Sequence, residues 1–571
     1  MPTLSETTHD PSAPNAPAYS VIADEAKPQD SDGQPKAATA NSVVPLAEWS
    51  TVTKYCTVVG TYVMILVVSL RATVALTLTP YMTSDFGAHS LIPLTNLLAY
   101  VVSAVVQLPL SRVISHSGHV YTLIAIVLVD TLGLVLLATC RTVEWYAAGF
   151  VMFETAFGGL TYILRLLIID TVKKQHQAVA FGLTTVPYLI TPFAGPPMAQ
   201  AFLEGPGWRW AYGSFAIVMP VFGIAMVIVL VIGERSAKRQ TVHKSKLLWA
   251  RVVDYMIEID VVGLILCCVG IGMLLVCITV ATAGLIHWNS SAFISMLAIS
   301  IDLLVTLVGY ERSLASQPFV TPGILSDRCA LGATLAISGQ HMSYGIWFSY
   351  FTSYLQVVFY QSIRNAGYIS NIYLLGWGIS AGVAGLILHY THRFKLVTAM
   401  SIAGTILSTG LILYCSKPGS SISGLIGCQV VFSISAGFIS VSMMMGVLHK
   451  AKPGENPMRM ALFFMISLLF SALGSTVSTA IWRNVLPGTL DRHLPEGLKN
   501  QATKIAGSIV VQLSYPRGSV GRDAIILAFA EAWRSLMIAG TSVLGLSVVG
   551  VLAMKEGQPS RRVESPEADK V

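Results

Sequence analysis

The sequence reads as an all-α polytopic membrane protein, and three observations carry that reading. Its 571 residues are 54% hydrophobic and only 11% charged, against about 25% charged in an ordinary soluble protein. Mean hydropathy is +0.66. Beyond Lys54 the apolar residues fall into fourteen runs, each close to the ~20 residues that cross a bilayer as a helix. So little charge cannot cover a water-facing surface, which excludes a soluble enzyme or a nucleic-acid binder.

Taken in order, residues 1–52 are rich in Pro, Ala, Ser, Thr and Asp and lack apolar periodicity. They are expected to form a disordered tail with no cleaved signal peptide. The spans lie at about 55–79, 91–112, 119–139, 146–170, 178–203, 210–232, 259–283, 291–310, 331–357, 366–388, 396–414, 422–447, 459–482 and 529–552. Most connections are short, so neighbours are antiparallel. Two are long: the basic stretch 233–258 and the loop 483–528. They divide the chain into an N-terminal bundle of six spans (53–232), the linker 233–258, an inserted pair (259–310) and a loop (311–330). Five further spans (331–482), the long loop 483–528, a last span (529–552) and a tail (553–571) follow.

Lysine and arginine set the orientation. With the N-terminus inside, the inner loops hold sixteen of them and the short outer loops four. Both termini are therefore expected in the cytoplasm. The long loop then lies outside, as does Asn289 of the sequon Asn289-Ser290-Ser291, a glycosylation candidate. The eight cysteines sit mostly in apolar runs without C-x-x-C or Cys/His clustering, so no disulfide framework, metal or cofactor is expected. Pro187, Pro192, Pro196 and Pro197 crowd the fifth span, which must be kinked or broken.

Several stretches carry a family likeness. The first span ends Leu78-Thr79-Pro80-Tyr81, followed by Ala88-His89-Ser90-Leu91. The fifth reads Pro187-Tyr188-Leu189-Ile190-Thr191-Pro192-Phe193-Ala194-Gly195-Pro196, then Gly205-Pro206-Gly207-Trp208-Arg209-Trp210. The tenth opens Ala366-Gly367-Tyr368-Ile369-Ser370-Asn371-Ile372-Tyr373. The long loop holds Gly507-Ser508-Ile509, Val511-Gln512-Leu513-Ser514-Tyr515-Pro516 and Arg522-Asp523-Ala524-Ile525. Over about residues 50–555 the chain resembles the fungal siderophore–iron transporters of the major facilitator superfamily. The resemblance implies the major facilitator fold with fourteen helices in a six–two–six layout, whose halves rock about a central cavity. It also implies proton-driven import of ferric siderophores across the plasma membrane; similar proteins carry glutathione or export fungal metabolites. Three departures stand out. The Asp-x-x-Gly-Arg loop after the second span reads Ser115-His116-Ser117-Gly118-His119. His389 and His392 replace an expected Arg and Gly after the tenth. Arg71 stands near where relatives tend to have an acid.

Charge within the membrane costs about 2.5–3.5 kcal/mol at the bilayer centre, so each such group needs a partner or a purpose. Arg71 and Glu154 lie at comparable depth, ~12 Å from the outer face by the 1.5 Å rise, and are expected to pair. That pair is either a cavity switch answering substrate or proton, or a static bridge. Asp130, at similar depth, reads as a structural carboxylate, Arg165 as a topology anchor near the inner face, and Asp302 as interhelical glue. Asp170 matches the family's gating acid. His341 lies near the midplane in the titration range that suits proton handling, although a buried histidine is more often a packing residue. Trp347, Tyr350, Tyr354, Asn371, Tyr373 and Trp377 offer aromatic and amide groups to a large polar chelate; Tyr354 and Tyr373 also suit an outer aromatic belt. The long loop, with Arg492, Lys499, Lys504, Tyr515, Arg517 and Arg522, is either a lid that receives an anionic chelate or a folded cap.

No phosphate-binding G-x-x-x-x-G-K-[ST], nucleophile elbow or H-E-x-x-H occurs, so an ATP-driven pump and an enzyme are both set aside. The short tails argue against a receptor-like sensor. The expected activity is secondary transport by a monomer, taking up a ferric siderophore with protons. The alternatives are export of a secondary metabolite or xenobiotic, and glutathione/proton exchange. The plasma membrane is the expected site, with endosomal or vacuolar membranes as alternatives.

Overall fold

The computed structural model describes residues 49–85, 92–237, 260–282, 284, 286–314, 326–452, 455–507 and 509–555. The expected N-terminal tail before residue 49 and nearly all of the basic linker lie outside the described residues. So do most of the loop 311–330 and the C-terminal tail. Every described element of regular structure is helical. Thirteen helical segments are long and apolar enough to cross a membrane.

The N-terminal helices are α1 (Thr51–Asp85), α2 (Ile92–Thr139), α3 (Val143–Thr171), α4 (Gln177–Leu183), α5 (Thr191–Glu204) and α6 (Trp208–Ala237). The label α2 covers the expected second and third spans, two helices that meet at Gly118, whose φ of 82° is a backbone state that only glycine adopts without strain. Next come α7 (Val261–Thr282) and α8 (Ser291–Ser313). The ninth expected span is α9 (Arg328–Phe348), continued after a short break by α10 (Phe351–Val357). Gly, Ser, Thr, Gln and His keep α9 out of those thirteen segments, and it is enclosed by protein over most of its length. The set closes with α11 (Ile363–Thr391), α12 (Phe394–Cys415), α13 (Ile422–Leu448), α14 (Asn456–His493) and α18 (Val520–Ala553). Three short helices, α15 (Glu496–Lys499), α16 (Ala502–Gly507) and α17 (Ile509–Ser514), precede α18.

Helices α2, α3 and α6 pack together with α1, while α9, α14 and α18 pack with α11, α12 and α13. Two seams join the groups, α2 against α14 and α4 against α11. The second depends on the prolines. They break the fifth span into α4, a 3-10 turn at Val186–Leu189 and α5, with Pro187 in the turn and Pro192 in the first turn of α5. The break lets Thr185 Oγ1 donate to the Gly378 carbonyl of α11 at 2.9 Å. Glycine makes the approach possible: a Cβ on Gly385 would stand 2.6 Å from the Ala178 carbonyl oxygen, and one on Gly182 would meet that of Ala381. Small residues that let membrane helices touch backbone to backbone gain dispersion contacts where no hydrophobic effect operates.

Helix α7 leans on both sides of the other seam, with Leu275 against Val101 of α2 and Ala472 of α14. Helix α8 packs chiefly on α7 and leaves most of its surface uncovered. Asp302 is exposed on α8, which corrects its expected role between helices: a helix with one neighbour buries too narrow a stripe. The long loop is largely helical, because α14 runs on to His493 and α18 begins at Val520. Leu494, Ala502 and Ile505 are buried in the same core as Trp482 and Phe529, so the segment is a folded cap on this end of the helices.

The α4–α11 seam yields a first test. Gly385→Val should lower the melting temperature of detergent-purified protein, reflecting an overpacking cost of about 1–3 kcal/mol. Gly382→Ala, whose Cβ would meet nothing within 4 Å, should leave it unchanged.

Candidate functional site

Three charged clusters among the described residues bear on the candidate site. The first is enclosed by α1, α2 and α3. Arg71 and Asp130 are 1% and 0% exposed, and Arg71 Nη1 lies 2.9 Å from Asp130 Oδ1. The guanidinium lies over the Phe153 ring at 4.3 Å and near Phe157 at 5.8 Å. The expected partner, Glu154, is replaced by Asp130. Both carboxylates sit at the same depth, so depth could not choose between them; helical phase does. Leu123, Ile126, Val127, Asp130, Leu134 and Leu137 form one buried stripe of α2 at the i, i+3, i+4, i+7 spacing, and that stripe aims Asp130 at α1. Glu154 is half-buried beside the pair, close enough for the Arg71 charge to act on it. Tyr100, Tyr146 and Tyr212 share its surroundings. The cluster thus holds two carboxylates and one guanidinium.

The second cluster closes the Asp170 end of α3. Asp170 Oδ2 lies 3.3 Å from His119 Nε2 of α2, and its Oδ1 accepts from Asn456 Nδ2 of α14 at 3.2 Å. Beside Asn456, the Pro457 carbonyl accepts from Tyr162 Oη of α3 at 2.8 Å. His119 occupies the arginine position of the altered Asp-x-x-Gly-Arg loop, and it keeps the contact with the acid. On α14, Arg459 reaches Asp327 at 2.9 Å and Glu455 at 3.0 Å, tying α14 to the start of α9.

The third cluster lies where α3 faces the other group. Arg165 is not an anchor at the membrane edge. Its guanidinium points among Phe181 of α4, Trp377 of α11 and Phe464 of α14, 5.6–5.9 Å from each ring centre. Tyr188, from the broken part of the fifth span, also faces it and meets Trp377 edge-on at 5.6 Å. His341 of α9 lies within reach of the Arg165 charge and beside the Ser467 backbone. Among the described residues no carboxylate and no hydrogen-bond acceptor pairs with Arg165. Ring faces attract the cation, but they offer no acceptor oxygens for the guanidinium N–H groups. The side chain is only partly buried, so a ligand can reach it.

The remaining expected residues separate into lining and core. Trp377, with Nε1 on Ser440 Oγ at 3.2 Å, and Asn371 are half-buried on α11. Tyr350 stacks on Trp482 at 4.2 Å, and Tyr344 stacks on Tyr373 at 4.4 Å. Trp347 is fully enclosed among Phe351, Phe432 and Trp533, which corrects its expected place in a substrate cavity. Tyr354 is equally enclosed, stacked on Trp533 with its hydroxyl on the Ser416 carbonyl, so it is a core residue instead of a belt residue. Periodicity alone cannot separate these rings, since α9 is buried almost all round. Arg522 is 2% exposed and donates to the carbonyls of Gln512 and of Val357, the latter at 2.9 Å. It bolts α17 and α10 to α18 and does not present its charge to an incoming chelate. Arg517 is exposed and lies over Tyr360 at 4.7 Å, and Tyr515 is half-buried. Asn289 is exposed in the turn between α7 and α8.

Two groups of membrane-length helices, joined by close seams with charges on and beside them, define a secondary carrier of the membrane. The chain belongs to the Major Facilitator Superfamily, whose family model matches residues 61–475. Within it, the chain shares its family with curated siderochrome iron transporters. It is 33% identical over 500 residues to "MFS siderochrome iron transporter D" of Aspergillus fumigatus, covering 87% of this chain and 83% of that protein. It is 32% identical over 505 residues to "MFS siderochrome iron transporter 1" of Ajellomyces capsulatus, covering 87% and 86%. "Siderophore iron transporter mirB" of Emericella nidulans is 30% identical over 514 residues, covering 89% and 85%. Among solved structures, the human organic anion transporter MFSD10 (TETRAN) superposes with a TM-score of 0.53 at 10% identity, covering 86% of this chain and 99% of that one. A bacterial homologue of the human lysosomal transporter Spinster gives 0.51 at 13% identity, covering 88% and 97%. At such identities these two establish the fold alone. The protein is a transporter and not an enzyme.

The buried pair yields a second test. Arg71→Ala or Asp130→Asn alone should cost about 3–5 kcal/mol by stranding one charge and should cut the yield of monodisperse protein. The double change Arg71→Met with Asp130→Leu should recover most of that yield. Size-exclusion profiles of fluorescent fusions report both.

Proposed function

We propose that this protein imports ferric siderophores together with protons across the plasma membrane, working as a monomer. The observation that carries the reading is the likeness to siderochrome and siderophore iron transporters over most of both chains. The charge clusters support a coupled mechanism. Arg71 serves Asp130, so Glu154 has no cation of its own and a proton is its natural charge partner. Glu154 is the coupling residue of this reading, and Arg71 and Asp130 hold the field around it. His341 is the second candidate, because it stands between the charge of Arg165 and the backbone of α14.

The excess of lysine and arginine in alternate loops supports cytoplasmic termini. On that orientation the His119–Asp170–Asn456 cluster is the inner gate, and the cap over residues 494–519 faces outside with Asn289. The division of the chain follows the sequence: an N-terminal bundle, an inserted pair, and a C-terminal bundle that α18 completes. Transport then alternates between breaking the inner contacts and closing the outer ends, while the α2–α14 and α4–α11 seams act as the sliding surfaces.

Uptake of a radiolabelled ferric trihydroxamate in yeast lacking its own siderophore carriers tests the reading. Accumulation should collapse at least tenfold with a protonophore. Glu154→Gln should retain downhill entry while losing concentrative uptake. Absence of uptake despite surface expression would favour export of a metabolite, and efflux assays would show it.

A further inference from the structure

We propose that Arg165 is the anion-recognition point of the transport site, so that this carrier selects cargo bearing a free carboxylate, set against a flat or apolar body, over the neutral equivalent. The inference rests on the uptake reading for the kind of cargo, but its geometry stands apart from it.

Four observations converge. Among the described residues Arg165 is a guanidinium in a membrane-length helix without a carboxylate partner, whereas Arg71 is paired with Asp130 and Arg459 with Asp327 and Glu455. Its neighbours come from both groups of helices: Phe181 and Tyr188 from one, Trp377 and Phe464 from the other. A ligand held here touches both sides of the seam at once, which is what a rocking carrier requires of its cargo. The contact is deep enough to be gated. Arg165 lies five residues before Asp170, about 7.5 Å along the helix by the 1.5 Å rise, and the Asp170–His119–Asn456 and Tyr162–Pro457 contacts close that end. Finally, no ring covers the guanidinium closely. Their centres stand 5.6–5.9 Å from the guanidinium carbon, wider than the 4.3 Å at which Phe153 covers Arg71.

The chemistry fixes the ligand class. A planar guanidinium offers paired N–H donors that match a carboxylate in a bidentate fork. The surrounding ring faces repel a second negative group and favour an apolar or planar one beside it. A cation is excluded by like charge; His341 and Tyr188 are the further titratable groups that face Arg165 among the described residues. A neutral chelate would leave Arg165 as costly as it is in the empty carrier.

Two ferric trihydroxamates that differ only in a free carboxylate or its methyl ester test the proposal. Both are offered to siderophore-carrier-deficient yeast expressing the wild-type chain, Arg165→Lys or Arg165→Gln at matched surface levels. The wild type should take up the carboxylate form at least tenfold faster at low concentration. Arg165→Gln should lose that preference by slowing carboxylate uptake about tenfold, with ester uptake intact, and Arg165→Lys should keep part of it. Preserved ester uptake also establishes that the variant folds. An Arg165→Gln chain that still prefers the carboxylate, or that loses both substrates together, would overturn the proposal; the latter would mark Arg165 as a structural cation. If the wild type carries neither chelate, the uptake reading fails and binding decides separately. Quenching of tryptophan fluorescence in purified protein by the carboxylate chelate and not by its ester, absent in Arg165→Gln, would sustain the anion site. Equal quenching by both chelates would end it.

Discussion

A charge buried among membrane helices must find its opposite, and the arrangement of this protein follows from where that condition is met and where it is left open. Arg71 meets it with Asp130 at 2.9 Å, inside a layer of phenylalanine rings. Arg459 meets it twice, with Asp327 and Glu455. Those closures fix α1 to α2 on one side and α14 to α9 on the other. Glu154 and Arg165 are left over, one negative and one positive, on the same helix α3 and eleven residues apart. A helix with an acid lacking its own cation and a cation lacking an acid has two sites to be filled from solution. On the proposed reading these are a proton and an anion.

The broken fifth span connects this electrostatic arrangement to motion. Its prolines prevent a continuous helix, and the resulting 3-10 turn carries Tyr188 to Arg165 and Thr185 to the backbone of α11. The same segment therefore lines the proposed anion site and forms one seam between the two groups of helices. Glycines at 182 and 385 hold the seam to backbone contact. Charge, broken backbone and glycine seam form one device.

Much of this was legible in the sequence, and what was not has a physical reason. Composition and run length gave the helical membrane class, and the four prolines gave the break. The altered Asp-x-x-Gly-Arg loop was visible, but that His119 would still reach Asp170 was not, because the contact crosses from α2 to α3. Depth arithmetic placed Arg71, Asp130 and Glu154 in one layer yet chose the wrong partner; the buried stripe from Leu123 to Leu137 held the signal that would have chosen Asp130. Arg165 was misread as an anchor for a similar reason, since distance to a helix end says nothing about which face the side chain takes. Trp347 and Asp302 show the complementary limit. Whether a membrane residue faces protein, cavity or lipid depends on how many neighbours its helix has, and that is a property of the assembled fold.

The central claim is that an inward proton gradient drives cargo inward through this chain. Purified protein in liposomes, loaded at neutral pH and diluted into acidic buffer with a radiolabelled ferric trihydroxamate, measures it directly. The account requires accumulation above the external concentration that vanishes when nigericin collapses the gradient. Accumulation only with the gradient reversed, or entry indifferent to it, would contradict the claim.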